Sequence, residues 1–137
     1  MTLPDATELS LGDSGDLARM RKQIGVWLTD SKARPLVKTQ LLTVATELGR
    51  NTIRHGGGGK LTMSGITEGT RRGLEMIFED EGPGISDLSQ AMQDGFSTAG
   101  GLGLGLGGAR RLLGSLLVEP RAPCGLRVVA RGWIDTR

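Results

Sequence analysis

Four consecutive glycines, Gly56 to Gly59, divide this chain into two kinds of structure. A helix does not extend through such a run cheaply, because glycine surrenders the most backbone freedom and offers no side chain to pack. Upstream, Leu17, Met20, Ile24, Trp27 and Leu28 recur at helical spacing and predict an amphipathic helix over 15–29, with Ser14 as its N-cap. A polar break at 30–34 follows, and Pro35 suits the first turn of a second helix. That helix is expected to end near Ile53 or His55 and to bury Val37, Leu41, Val44, Leu48 and Thr52. Downstream the period becomes two. Segments 60–66 and 73–80 read as strands joined by a polar turn at 67–72, with Leu74, Met76, Phe78 and Asp80 on one face.

The remaining segments complete a pattern. Residues 6–11 read as a short edge strand and 86–94 as a short helix. A third main helix is expected from Leu104 to Leu116 or Leu117, with a strand over Leu116–Val118 as the alternative for its end, then a turn at 120–123 and a last strand over 126–133 with alternating arginines. The order predicts one α+β domain spanning 1–137: a two-layer α/β sandwich whose mixed, mostly antiparallel sheet carries its helices on one face. The length suits a single domain with a real core, and 3% aromatic content makes that core aliphatic.

Composition narrows the partners. A net charge of +2 gives no electrostatic reason to expect nucleic acid, and the C-terminal arginines read as a solvated basic face. One cysteine forbids an internal disulfide and suits a reducing compartment. No signal-peptide pattern opens the sequence, and no apolar run nears the roughly 18 residues of a membrane span. The expectation is a cytoplasmic protein with no membrane partner.

Three segments carry chemistry. In Glu-Leu-Gly-Arg-Asn at 47–51, Glu47 and Asn51 stand one helical turn apart, flanking the apolar stripe and so at the rim of the core. An amide oxygen is a hard neutral ligand suited to Mg²⁺, and a carboxylate beside it can take a proton from a hydroxyl attacking phosphorus. Taken alone, a solubilising polar pair is the commoner meaning of this spacing. In Glu-Asp-Glu-Gly-Pro-Gly at 79–84, Asp80 closes a strand. It can accept a hydrogen bond from the exocyclic amine of adenine, with Gly82 and Gly84 letting the backbone approach a flat base. It equally fits an aspartate capping a tight turn. From Gly95 to Gly108, seven of fourteen residues are glycine. Such a loop is expensive to order, and its N–H groups can cradle phosphates ahead of a helix N-terminus, with Ser97 and Thr98 adding hydroxyls. A flexible linker is the alternative, against which Leu102, Leu104 and Leu106 alternate with the glycines.

Other residues carry less. His55 suits the helix C-terminus, Cys124 a packing role, and Arg50 and Arg54 either an anion or solvent. No His/Cys cluster has zinc spacing.

Taken in this order, the three segments resemble the GHKL, or Bergerat, ATP-binding superfamily of gyrase-type ATPases, heat-shock chaperones, sensor histidine kinases and mismatch-repair ATPases. Within it, the chain resembles the anti-sigma-factor serine/threonine kinases, above all the stressosome switch kinases. The runs at 79–85 and 94–103 carry the likeness, which extends from about Leu41 to Trp133. The resemblance implies Glu47 as general base, Asn51 as the Mg²⁺ ligand, and Asp80 with Gly82 and Gly84 as the adenine site. It implies that Gly101, Gly103 and Gly105 form a lid over the triphosphate, with Ser97 and Thr98 near it. The implied cofactors are ATP and Mg²⁺. The implied substrate is a STAS-domain antagonist or scaffold protein, with a phosphatase or sigma-factor regulator as a further partner. Gly56–Gly59 and Gly107–Gly108 are richer in glycine than the family pattern. A nucleotide-set binding module with little catalysis is the alternative output. A detached histidine-kinase catalytic domain and a chaperone-type ATPase are disfavoured by the missing phosphoacceptor region and the short chain.

Overall fold

The structure, a computed structural model, describes residues 6–82, 113–121 and 124–134. Strand β1 (Thr7–Leu11) leads into helices α1 (Ser14–Asp30) and α2 (Pro35–Arg54). Strands β2 (Gly59–Glu68), β3 (Arg71–Asp80), β4 (Ser115–Pro120) and β5 (Leu126–Trp133) follow. They form one five-stranded sheet in the order β1-β2-β3-β5-β4. Every described pairing is antiparallel. The α+β class and the two layers are as the pattern predicts, and β1 is the expected edge strand.

Alternation sorts the sheet into two faces. Leu61, Met63, Leu74, Met76, Phe78, Val128 and Ala130 point to the helices. There they meet Met20, Ile24 and Leu28 of α1 and Val37, Leu41, Val44 and Leu48 of α2 in one core. Among the described residues, Phe78 is the only aromatic with a fully buried side chain. The opposite face carries Glu75, Glu79, Arg127 and Arg131, and the C-terminal arginines there are not simply solvated. Arg131 Nε lies 2.8 Å from Glu75 Oε2, and Arg127 Nη1 lies 2.5 Å from Glu119 Oε1. This is the polar side of a half-covered antiparallel sheet.

Element ends differ from the sequence expectation in three places. The N-cap of α1 is Asp13, one residue before Ser14, and its side chain accepts from the Asp16 N–H at 2.8 Å. The β2–β3 turn shrinks to Gly69–Thr70, because pairing continues through Thr67↔Arg72 and Glu68↔Arg71. Leu116 and Leu117 lie on β4, so the strand reading of Leu116–Val118 holds over the helical one, and the strand runs wider, from Ser115 to Pro120. Leu116 packs on the core while Leu117 is 55% exposed, the alternation of a strand. The expected helix over 86–94 and residues 104–112 of the expected third helix fall outside the described residues. Among the described residues, no helix is long and apolar enough to cross a membrane.

Candidate nucleotide site

Helix α2 changes character along its length. Its first half shows an amphipathic face, but Val44 through Gly49 are buried all the way round. Polar groups in such a stretch need partners. Thr46 Oγ1 donates to Leu42 O at 2.7 Å, and just beyond the stretch Thr52 Oγ1 donates to Leu48 O at 3.0 Å. Glu47 has no such satisfaction. It is 1% exposed, and its two carboxylate oxygens are the only buried side-chain polar atoms among the described residues that lack a hydrogen-bond partner. Arg50, one turn on, brings Nη1 to 3.7 Å from Oε1, an ion pair too long for a hydrogen bond. Arg50 is therefore a charge partner of Glu47 rather than a solvated arginine.

The rim position expected for both Glu47 and Asn51 holds for Asn51 alone. Asn51 is half-buried, and no hydrogen bond of its side-chain amide occurs among the described residues. Glu47 lies deeper because α2 is covered on every side there. His55 is the C-cap, its N–H donating to Asn51 O at 2.9 Å, in keeping with its expected place at the helix end.

Asp80 ends β3 on the core face and is 8% exposed. Its Oδ1 accepts from the Gly82 N–H at 2.9 Å, so the capped turn read from the sequence is real. Oδ2 takes no hydrogen bond among the described residues. A capping role and a ligand role thus use different oxygens. The glycine run after α2 gains its meaning here. A Cβ on Gly56 would overlap the Asp80 side chain, and one on Gly82 would stand 2.6 Å from the Gly56 Cα. Gly57 and Gly58 take φ of 71° and 106°, turning the chain into β2 so that Gly59 pairs with Asp80. The end of α2 and the end of β3 are brought together by backbone contact that only glycine permits.

Sequence reasoning found the turn between β4 and β5 but missed its contacts with the end of β3. Arg121 Nη1 donates to the Asp80 carbonyl at 3.0 Å, Cys124 Sγ donates to the Glu81 carbonyl at 3.2 Å, and Gly125, at φ 101°, lies against the Asp80 carbonyl. Cys124 is exposed, so packing is not its role. Only the β3–β5 register, which brings together residues some forty positions apart, reveals these contacts. Gly84, Ser97, Thr98, Gly101, Gly103 and Gly105 lie outside the described residues.

The donor set fits a nucleotide and its metal. An acidic oxygen without a hydrogen bond at Asp80, an uncommitted amide at Asn51 and an orphaned carboxylate at Glu47 sit on two elements whose ends touch. Among the described residues, no group of three or more His, Cys, Asp or Glu side chains could hold a metal by itself. A cation at Asn51 would therefore need ligand phosphates to complete its shell.

Comparison with known proteins gives the family and the fold. The family model described as histidine kinase-, DNA gyrase B- and HSP90-like ATPase matches residues 37–131. The serine/threonine-protein kinase RsbT of Bacillus subtilis (strain 168) is 37% identical over 97 residues, which is 71% of this chain and 73% of that protein. The crystal structure of the RsbU and RsbW domains of Rv1364c from Mycobacterium tuberculosis superposes with a TM-score of 0.65 at 14% identity. That match covers 98% of this chain and only 34% of the other. The catalytic domain of the histidine kinase ThkA superposes with a TM-score of 0.53 at 15% identity, covering 98% of this chain and all of the other. At such identities the two structures speak for the fold.

Proposed function

This chain belongs to the family of histidine kinase-, DNA gyrase B- and HSP90-like ATPases, and on that premise we propose that it is an ATP-dependent serine/threonine protein kinase of a partner-switching regulatory system. Its substrate in this reading is a STAS-domain protein. Phosphorylation places negative charge on the docking surface and releases the kinase to act on a phosphatase or sigma-factor regulator. The kinase character rests on likeness to RsbT. The roles of residues rest on the site.

When bound, ATP supplies the γ-phosphoryl group and Mg²⁺ neutralises its charge. Asp80 accepts a hydrogen bond from the adenine amine through the oxygen not used by Gly82, and the glycine backbone leaves room for the base. Asn51 offers its amide oxygen to the cation. Gly84, Ser97, Thr98, Gly101, Gly103 and Gly105 would close over the phosphates. Glu47 accepts the proton of the attacking hydroxyl.

The observation that carries this reading is the orphaned carboxylate of Glu47. A buried carboxylate without hydrogen bonds destabilises a fold, and such groups concentrate where chemistry needs them. The test is transfer of labelled phosphate from ATP to a STAS-domain partner. Glu47→Ala is expected to bind ATP normally and to transfer nothing. Labelling at near wild-type rate would remove Glu47 as the base.

One observation favours a second output. At 1% exposure Glu47 is not open to an incoming hydroxyl, which suits a module whose nucleotide sets partner binding. Nucleotide-dependent partner exchange without any labelling by the wild-type protein would select it.

A further inference from the structure

The ladder between β3 and β5 stops at Glu79↔Arg127, while that between β3 and β2 continues to Asp80↔Gly59. One edge of β3 therefore loses its strand partner at Asp80. Backbone carbonyls left open at a strand end invite fraying. Here the side chains of the β4–β5 turn take over from the strand. Arg121 Nη1 donates to the Asp80 carbonyl at 3.0 Å, and Cys124 Sγ donates to the Glu81 carbonyl at 3.2 Å. The same guanidinium brings Nε to 3.5 Å from Glu79 Oε2 and Nη1 to 3.6 Å from Glu81 Oε1. One planar group thus spans three consecutive residues, which a lysine cannot reproduce. The turn is closed by the Arg121 N–H on the Gly125 carbonyl at 3.1 Å. Arg121 touches the main chain of Asp80, not its carboxylate, and so leaves the acceptor oxygens to Gly82 and to the ligand.

We infer that Arg121 is a positioning residue for base selection: it fixes the strand end on which Asp80 aims its carboxylate at the exocyclic amine. The inference rests on the reading of Asp80 as the adenine-binding residue. A hydrogen bond to an exocyclic amine is directional, and an acceptor displaced by about 1 Å loses most of it. Loss of Arg121 then harms recognition of the amine and little else in the ligand.

ATP and ITP separate that effect from a general loosening, since inosine has no exocyclic amine. Calorimetric titration of the full chain with each nucleotide is expected to show Arg121→Gln weakening ATP about tenfold while ITP changes by less than about twofold. Equal losses for the two nucleotides, or no loss of either, would overturn the inference. If circular dichroism shows Arg121→Gln unfolded, Arg121→Lys carries the same comparison. It keeps the charge facing Glu79 and Glu81, and a selective but smaller loss of ATP affinity is expected. Asp80→Asn tells the two levels apart. If it leaves the preference for ATP over ITP intact, the base-site reading itself fails. If it erases that preference while both Arg121 variants match wild type, only the positioning role fails.

Discussion

Glu47 and Asp80 are both buried acids, 1% and 8% exposed, and they are held in opposite ways. Asp80 is gripped from several sides: Gly82 on its carboxylate, Arg121 on its carbonyl, Gly59 across the ladder and Gly56 against its side chain. Glu47 has packing all round and no hydrogen bond to either oxygen. A recognition residue gains from being fixed, because its selectivity depends on direction. A proton acceptor gains from being unsatisfied, because the bond it lacks is the one formed during reaction. The contrast implies that the two acids answer differently to removal. Asp80 variants should lose ligand, whereas Glu47 variants should lose chemistry and gain stability.

The largest expected effect breaks the recognition half. In Asp80→Asn the Gly82 contact survives through the amide oxygen, but an amine now faces the amine of adenine. ATP affinity by calorimetry is expected to fall about 100-fold or more. Micromolar-range binding retained in this variant would show that Asp80 only caps its turn. The next effect concerns Glu47. Glu47→Met fills similar space without charge, and the unfolding free energy from urea titration is expected to rise by about 1–3 kcal/mol while transfer is lost. A destabilised Glu47→Met would mean that the wild-type carboxylate is well satisfied, and the contrast with Asp80 would disappear.

The glycines that join these regions allow a finer cut. A Cβ on Gly56 would collide with Asp80, whereas one on Gly57 would meet nothing within 4 Å, leaving only the strain of φ 71°. Gly57→Ala is expected to lose about 1 kcal/mol and leave nucleotide affinity unchanged. Gly56→Ala is expected to lose about 2–3 kcal/mol and to weaken ATP binding with it, because the atom displaced belongs to the site. Equal behaviour of the two variants in urea and in calorimetry would separate the α2 end from the base pocket.

Much of this was legible in the sequence for a physical reason. Helical spacing over 15–29 and 35–53 and the period of two over 73–80 reflect burial, and burial dominates the fold. Glu47, Asn51 and Asp80 stand out in the sequence because their spacing is local, either one helical turn or one strand end. What escaped depends on contacts between distant segments. Gly56 reads as a helix terminator until β3 is laid beside it. Arg121 reads as a turn residue and Cys124 as a packing residue until the β3–β5 register brings them to Asp80 and Glu81. The depth of Glu47 escaped for a related reason: helical spacing gives an azimuth on α2, and only the packing of the other elements decides whether that azimuth meets solvent. The sequence leaves Leu116 and Leu117 between helix and strand, because the seven apolar or small residues from Leu112 to Val118 carry no period.

The smallest effect supplies a control from a third acid, outside the site. Asp16 lies at the start of α1, where Asp13 caps the Asp16 N–H at 2.8 Å and Asp16 Oδ2 accepts from the Gly12 N–H at 2.8 Å. The hydrogen bond from Arg19 and, after it, that from Gly12 hold the Asp16 carboxyl below its ordinary 3.8. The sign follows from this depression. The unfolded chain takes up the proton first as pH falls, so the contribution of Asp16 is complete above the ordinary value and disappears as pH drops through the lower folded value. Asp16→Asn should therefore be less stable than wild type near pH 6, and the gap between their urea midpoints should close as pH falls through the lowered folded value. Asp13→Ala, which removes the cap itself, is expected to lose about 1 kcal/mol at neutral pH. Neither variant should alter ATP affinity or phosphate transfer. If removal of these hydrogen-bonded carboxylates, remote from the site, changes nucleotide binding as much as Asp80→Asn does, the effect of Asp80 is one of general stability, and its distinction from Glu47 has no bearing on the site.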